Sequence, residues 1–142
     1  MKKFGILVVS LLMTTGLIGC QHAEETSNDT HMQSVSGVVT YRERVALPAN
    51  ALITVSLQDI SLADAPAIVL AKQSIEADGK QVPFAFDLPY DSNNLKQGHT
   101  YSVSARIELE GKLLFITDTV YPVISDANQT HLVELTLIKA GG

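Results

Sequence analysis

The sequence predicts an all-β chain whose folded part is a single antiparallel β-sandwich of Greek-key type. Three observations carry this. From Val35 onward the apolar residues alternate with polar ones in short runs, and no stretch sustains a period of 3.6 residues. These runs are rich in Val, Ile, Thr and Tyr, and Gly, Asp, Asn and Pro separate them at regular intervals. The segment Leu95-Lys96-Gln97-Gly98-His99-Thr100-Tyr101 has the Leu-x-x-Gly-x-x-Tyr spacing of a tyrosine corner, in which a Tyr heading a strand returns its hydroxyl to the crossover backbone. An ordinary inward Tyr after a Gly turn has the same spacing. Under either reading Tyr101 is structural rather than catalytic.

The N-terminus comes before any strand. Lys2 and Lys3 precede the apolar run Phe4 to Leu12, and Leu17-Ile18-Gly19-Cys20 follows. A charged start, a short apolar middle and small residues before the cut are the parts of a secretory signal. The last four residues also resemble a bacterial lipobox, in which the Cys thiol receives a diacylglycerol and the signal is removed. The expected organisation is therefore a lipoprotein signal peptide at 1–19, a lipidated Cys20 and flexible tether at 20–34, and the β-sandwich at 35–142. Thr14, Thr15 and Gly16 interrupt an apolar run already shorter than the ~20 residues of a membrane span. Gln21 to Ser34 has no apolar period and reads as a disordered tether reaching about 45–50 Å when extended.

The strands then follow in order. Val35 to Tyr41 is the first. Ala51 to Ile60 places Ile53, Val55 and Leu57 on one face and Thr54, Ser56 and Gln58 on the other. Asp64-Ala65-Pro66 breaks the chain, because Pro cannot donate to a ladder. Ile68 to Ala77 resumes, and Asp78-Gly79 is a hairpin signal, since both residues tolerate positive φ. Val82, Phe84, Phe86 and Leu88 alternate inward. Tyr101 to Leu109 is the clearest strand, Glu110-Gly111 turns it back into Leu113 to Val120, and His131 to Ile138 closes the domain.

Composition narrows the function classes. The chain has 142 residues and a net charge of −5, and it loses two further positive charges with Lys2 and Lys3. Nucleic-acid binding needs clustered Lys and Arg, so no nucleic acid is expected. Docking to anionic lipid by charge is equally disfavoured, which leaves acyl chains as the membrane attachment. Cys20 is the only cysteine, so the folded part has neither a disulfide nor a catalytic thiol. His22, His31, His99 and His131 show no metal-ligand spacing and read as solvated. Glu108 and Glu110 beside Arg106 read as a solvated rim rather than an acid/base pair. Asp91-Ser92-Asn93-Asn94 lacks the Gly and spacing of a calcium loop and reads as turn chemistry. No catalytic residues, metal or cofactor are assigned, and the chain is not expected to be an enzyme. If Ile53 and Val133 face the core with their alternating neighbours, then Leu52, Leu132 and Ile138 face away from it. Those three are the candidate partner-binding residues.

Over nearly all of its mature length the sequence resembles the YbaY/YscW family of bacterial lipoproteins. The resemblance runs through Val35-Ser36-Gly37, Tyr41 to Pro48, Asp59 to Ala67, Val82-Pro83-Phe84, Leu88 to Asp91, and Tyr101 through Leu113 to Val123. It implies a β-sandwich lipoprotein without catalytic residues. One branch of the family comprises pilotins, which escort the secretin of a type III secretion system to the outer membrane; the sequence looks closer to the other branch. By resemblance to the sorting rule of enterobacterial lipoproteins, Gln21 rather than Asp after Cys20 implies an outer-membrane location, facing the periplasm. The leading expectation is an outer-membrane lipoprotein with a binding or chaperone-like role toward an envelope protein. A pilotin for a type III secretin is the narrower alternative. An envelope polysaccharide-modifying enzyme is the third, set back by the missing constellation.

Overall fold

The structure is a computed structural model that describes residues 31–141. The expected signal peptide at 1–19, Cys20 and most of the expected tether lie outside the described residues. The described residues form eight strands: β1 (Met32–Tyr41), β2 (Leu52–Asp59), β3 (Ile68–Glu76), β4 (Phe84–Asp91), β5 (Tyr101–Leu109), β6 (Lys112–Ile116), β7 (Tyr121–Val123) and β8 (Leu132–Lys139). One 3₁₀ turn, Ser92–Asn94, follows β4, and its Asp91 cap accepts the Asn93 N–H. β1 starts three residues ahead of Val35, so Met32 to Ser34 belong to a strand and not to the tether.

The strands lie in the order β3-β2-β5-β6-β8-β1-β4, with β7 beside β5. This is one sheet curled into a nearly closed barrel, not the clear sandwich expected from sequence. Its two halves, β3-β2-β5-β6 and β8-β1-β4, are joined by only two residue pairs, Phe115 with Lys139 and Ile116 with Ile138. Alternation specifies one inward face, and it reads the same whether that face belongs to two stacked sheets or to one curled sheet. The antiparallel expectation also needs one correction: β1 and β8, the first and last strands, run parallel from Ser36/Leu132 to Tyr41/Leu137.

The inward face forms the core. Ile53, Val55 and Leu57 lie opposite Ile107, Ala105 and Val103, all buried. Val35, Val39, Leu88, Leu135 and Leu137 fill the space from the other half. The rings of Tyr41 and Phe115 stack with centroids 4.1 Å apart, tying β1 to β6 across the weak join. At the opposite side the end strands β3 and β4 meet without a backbone ladder. There Gln73 reaches over, and its Oε1 accepts the Asp87 N–H at 2.8 Å.

Two turns show how local chemistry and global pairing differ. Glu110 and Gly111 both have positive φ and close a β5–β6 hairpin. Asp78 and Gly79 also have positive φ, and Lys80 N–H donates to Ala77 C=O at 2.8 Å. Yet no hairpin follows, because β3 pairs with β2 and β4 with β1. The expected Leu113 to Val120 strand ends at Ile116. Thr117 leaves the β6 line with its N–H bonded to Ala105 C=O, and β7 then rejoins β5 at Tyr121.

The strand directions sort the loops into two ends. The proximal end, where the described chain enters β1, gathers loops 60–67, 92–100 and 124–131. The distal end gathers 42–51, 77–83, Glu110-Gly111 and the C-terminus.

Candidate partner interface

The outer face of the larger half-sheet carries a shallow groove of about 360 Å³. Residues of β2 and β5 that alternate with the core build its floor: Thr54, Ser56 and Gln58 from one, Ser104 and Arg106 from the other. Register aligns them in rows. Lys72, Ser56 and Ser104 form one row; Ser74, Thr54, Arg106, Ile116 and Ile138 form the next, across five strands. The groove is therefore hydroxyl-rich at its centre, with Val69 at one margin and Ile116 at the other. Its two charged lining residues are both cations. Arg106 is paired with Glu108, whereas Lys72 has no ion-pair partner among the described residues.

Leu52, Ile138 and Leu132 occupy different parts of this surface. Ile138 is 43% exposed and pairs directly with Ile116, so it extends the apolar margin of the groove. Leu52 lies on the same outer face, half-buried between Glu76 and Glu108. Leu132 is 77% exposed but lies six residues, about 20 Å, from Ile138 along β8. It borders a separate hollow with Gly37, Val38, Val133 and Glu134. Leu52 and Ile138 thus flank one groove, and Leu132 stands apart. Cys20, the lipidation candidate, lies outside the described residues.

The polar groups with the most developed surroundings are at the proximal end. Asp59 is buried and continues the inward phase of Ile53, Val55 and Leu57. Ser61 donates its N–H to Asp59 Oδ1 at 3.0 Å, and His99 Nδ1 donates to Oδ2 at 2.6 Å. The Ser61 hydroxyl first and His99 second, with a smaller effect from the Ser61 N–H, lower the Asp59 pKa to about 2 against the opposing effect of burial. Ser61 Oγ in turn accepts the Thr100 N–H at 2.7 Å, so the cluster ties loop 60–67 to the loop before β5. Serine, histidine and aspartate meet here, but Ser61 bonds the carboxylate rather than the imidazole. A nucleophilic triad needs the histidine between the other two, so this geometry locks loops and does not activate a hydroxyl.

His99 is therefore not the solvated side chain expected from sequence. His131 is exposed as expected, with its Nδ1 donating to Gln129 C=O at 2.7 Å and its Nε2 3.2 Å from Tyr90 Oη. The phase of β2 could have revealed Asp59; no local signal pointed to its partner forty residues away. Lys72 and Ile116 were missed because the groove exists only once β3, β2, β5 and β6 are in register. Among the described residues, no group of three or more His, Cys, Asp or Glu side chains is placed to hold a metal.

The model of one protein family, described as type III secretion system lipoprotein chaperone (YscW), matches residues 30–136. The uncharacterized lipoprotein YbaY of Escherichia coli (strain K12) is 45% identical over 105 residues, which are 74% of this chain and 54% of that protein. The chain thus spans about half the length of that curated relative. Among solved structures, an alternative pilotin from the type II secretion system of Vibrio cholerae superimposes with a TM-score of 0.75. It is 58% identical, and the match covers 78% of this chain and 99% of the pilotin.

Proposed function

We propose, since the chain belongs to the YscW family of type III secretion system lipoprotein chaperones, that it is a non-enzymatic pilotin held by acyl chains on Cys20 at the outer membrane, facing the periplasm. One observation carries this reading: 58% identity to a pilotin across 99% of that pilotin's length. The client is then a secretin subunit, and the likeness to a type II pilotin favours a type II secretin over a type III one. The lipobox ending at Cys20 supports the anchor, and Gln21 supports outer-membrane sorting.

Recognition in this reading uses the outer groove of β2 and β5. Ile138 and Leu52 flank it as apolar contacts, and Lys72 and Arg106 offer charge to a carboxylate-bearing segment. Both apolar side chains leave the core untouched, so they can be changed without a cavity. The test is cross-linking in intact cells, followed by identification of the captured protein. Wild type should trap a secretin, and Leu52→Ser with Ile138→Ser should lose that capture at nearly unchanged thermal stability. Capture that survives both substitutions removes the groove from the interface. Absence of any secretin from the wild-type capture removes the pilotin reading itself.

A further inference from the structure

The exposed large apolar side chains are not spread evenly over the barrel. Of the eight, five lie at or near the proximal end: Met32, Leu62, Ile68, Val69 and Leu132, between 50% and 77% exposed. Leu62 is in loop 60–67, Ile68 and Val69 open β3, Met32 opens β1 and Leu132 opens β8. They surround the point at which the described chain begins. The distal end has the opposite character. Arg42, Glu43, Arg44, Glu76, Asp78 and Lys80 are all exposed there, against two large exposed apolar residues, Val45 and Ile138.

The carboxylates of the proximal end are largely turned to local use. Asp59 is held by Ser61 and His99, Asp91 caps the 3₁₀ turn, and Asp126 accepts both the N–H and the hydroxyl of Thr130. Asp64 and Lys96, opposite in sign, are the exposed charged residues of its three loops, so this end presents little net charge beside its five apolar side chains. Isolated exposed Leu or Ile residues need no explanation; five gathered around one end mark a contact surface.

Chain length says what covers it. Cys20 precedes His31 by eleven steps, which span at most about 36–40 Å. A lipid-bearing Cys20 therefore limits how far the proximal end can stand from the bilayer, and the ten-residue β1 leads from that end to the charged one. We propose that the proximal end of the barrel rests against the bilayer that Cys20 anchors, with Leu62, Ile68, Met32 and Leu132 entering its headgroup layer and Val69 left at the margin of the groove. This rests on the lipid anchor of the proposed function. Apolar contact with the interface adds to the acyl chains and fixes orientation: the groove of β2 and β5 then lies along the side of a standing barrel, open to the periplasm.

The experiment uses the full mature lipoprotein in phosphatidylcholine vesicles, a neutral surface that excludes charge attraction. The Cys20 thiol is consumed by lipid, so a cysteine introduced at an exposed loop position is the one that takes a fluorescent label. Leu62→Cys reports the proximal end and Val45→Cys the distal end. Quenchers carried on the lipid chains should extinguish the label at 62 and spare that at 45, while aqueous iodide should do the converse. Protein that fails to float with the vesicles overturns the anchor and this inference together. Protein that floats while both labels stay open to iodide overturns the inference alone. A label at 62 shielded from both quenchers overturns it as well, since a second copy or another protein then covers that end.

Discussion

Tyr101 shows how single side chains hold this fold without a disulfide. Its ring is buried, and its hydroxyl accepts the Lys96 N–H at 2.7 Å, five residues upstream. This is the bond the Leu-x-x-Gly-x-x-Tyr spacing foretold, with Gly98 supplying the positive φ of the turn. The other three tyrosines act in related ways. Tyr41 donates to Val45 C=O, and Tyr90 donates to Gln33 Oε1. The Tyr121 hydroxyl lies 3.2 Å from both the N–H and the C=O of Thr136, filling a place on the edge of β8 where no strand pairs. Tyr101→Phe keeps the packed ring and strands the Lys96 N–H, so it should cost on the order of 1 kcal/mol in a denaturant melt. Coincident melts of the two proteins would show that water replaces the bond. Asp59 is a different case. Its burial was legible from the phase of β2, but its tolerance of burial depends on His99, which only the tertiary fold brings near.

At the scale of elements, strand existence was legible and strand partnership was not. Period-two alternation locates β2, β5 and β8 to within a residue, because each has one face in the core. Nothing local specifies that β8 lies parallel to β1 or that Asp78-Gly79 separates strands that pair elsewhere. One residue carried a trace of the answer: a glycine inside a strand marks a close approach of backbone. Gly37 faces Val133 on β8, and a Cβ placed on it would lie 1.7 Å from the Val133 carbonyl oxygen and 3.0 Å from the Phe86 ring. The obstacle on the β8 side is backbone, so it cannot be relieved by a rotamer change. Gly37→Ala should force β1 and β8 apart and cost about 3 kcal/mol or more, read as a fall in the urea midpoint and in soluble yield. Alanine accepted at this position with an unchanged midpoint would place β8 elsewhere.

For the whole molecule, the outer groove was legible only in part. The sequence marked Leu52 and Ile138 as outward, and both flank the groove; the curl of the sheet into a barrel decides that Leu132 belongs to another region. That curl leaves one seam, bridged by Gln73, and separates an apolar end from a charged one. In the proposed arrangement the barrel is fixed to a membrane at one end and open along its side, which suits a protein that holds a client rather than transforms it. In the pilotin reading this holding delivers a secretin to the outer membrane, which is measured most directly as secretin multimers in separated inner and outer membranes. Cells with the wild-type chain should carry multimers in the outer membrane. Cells lacking it, or carrying Cys20→Ala, should leave the secretin in the inner membrane or as monomer. Outer-membrane multimers at equal level in all three strains would contradict the claim.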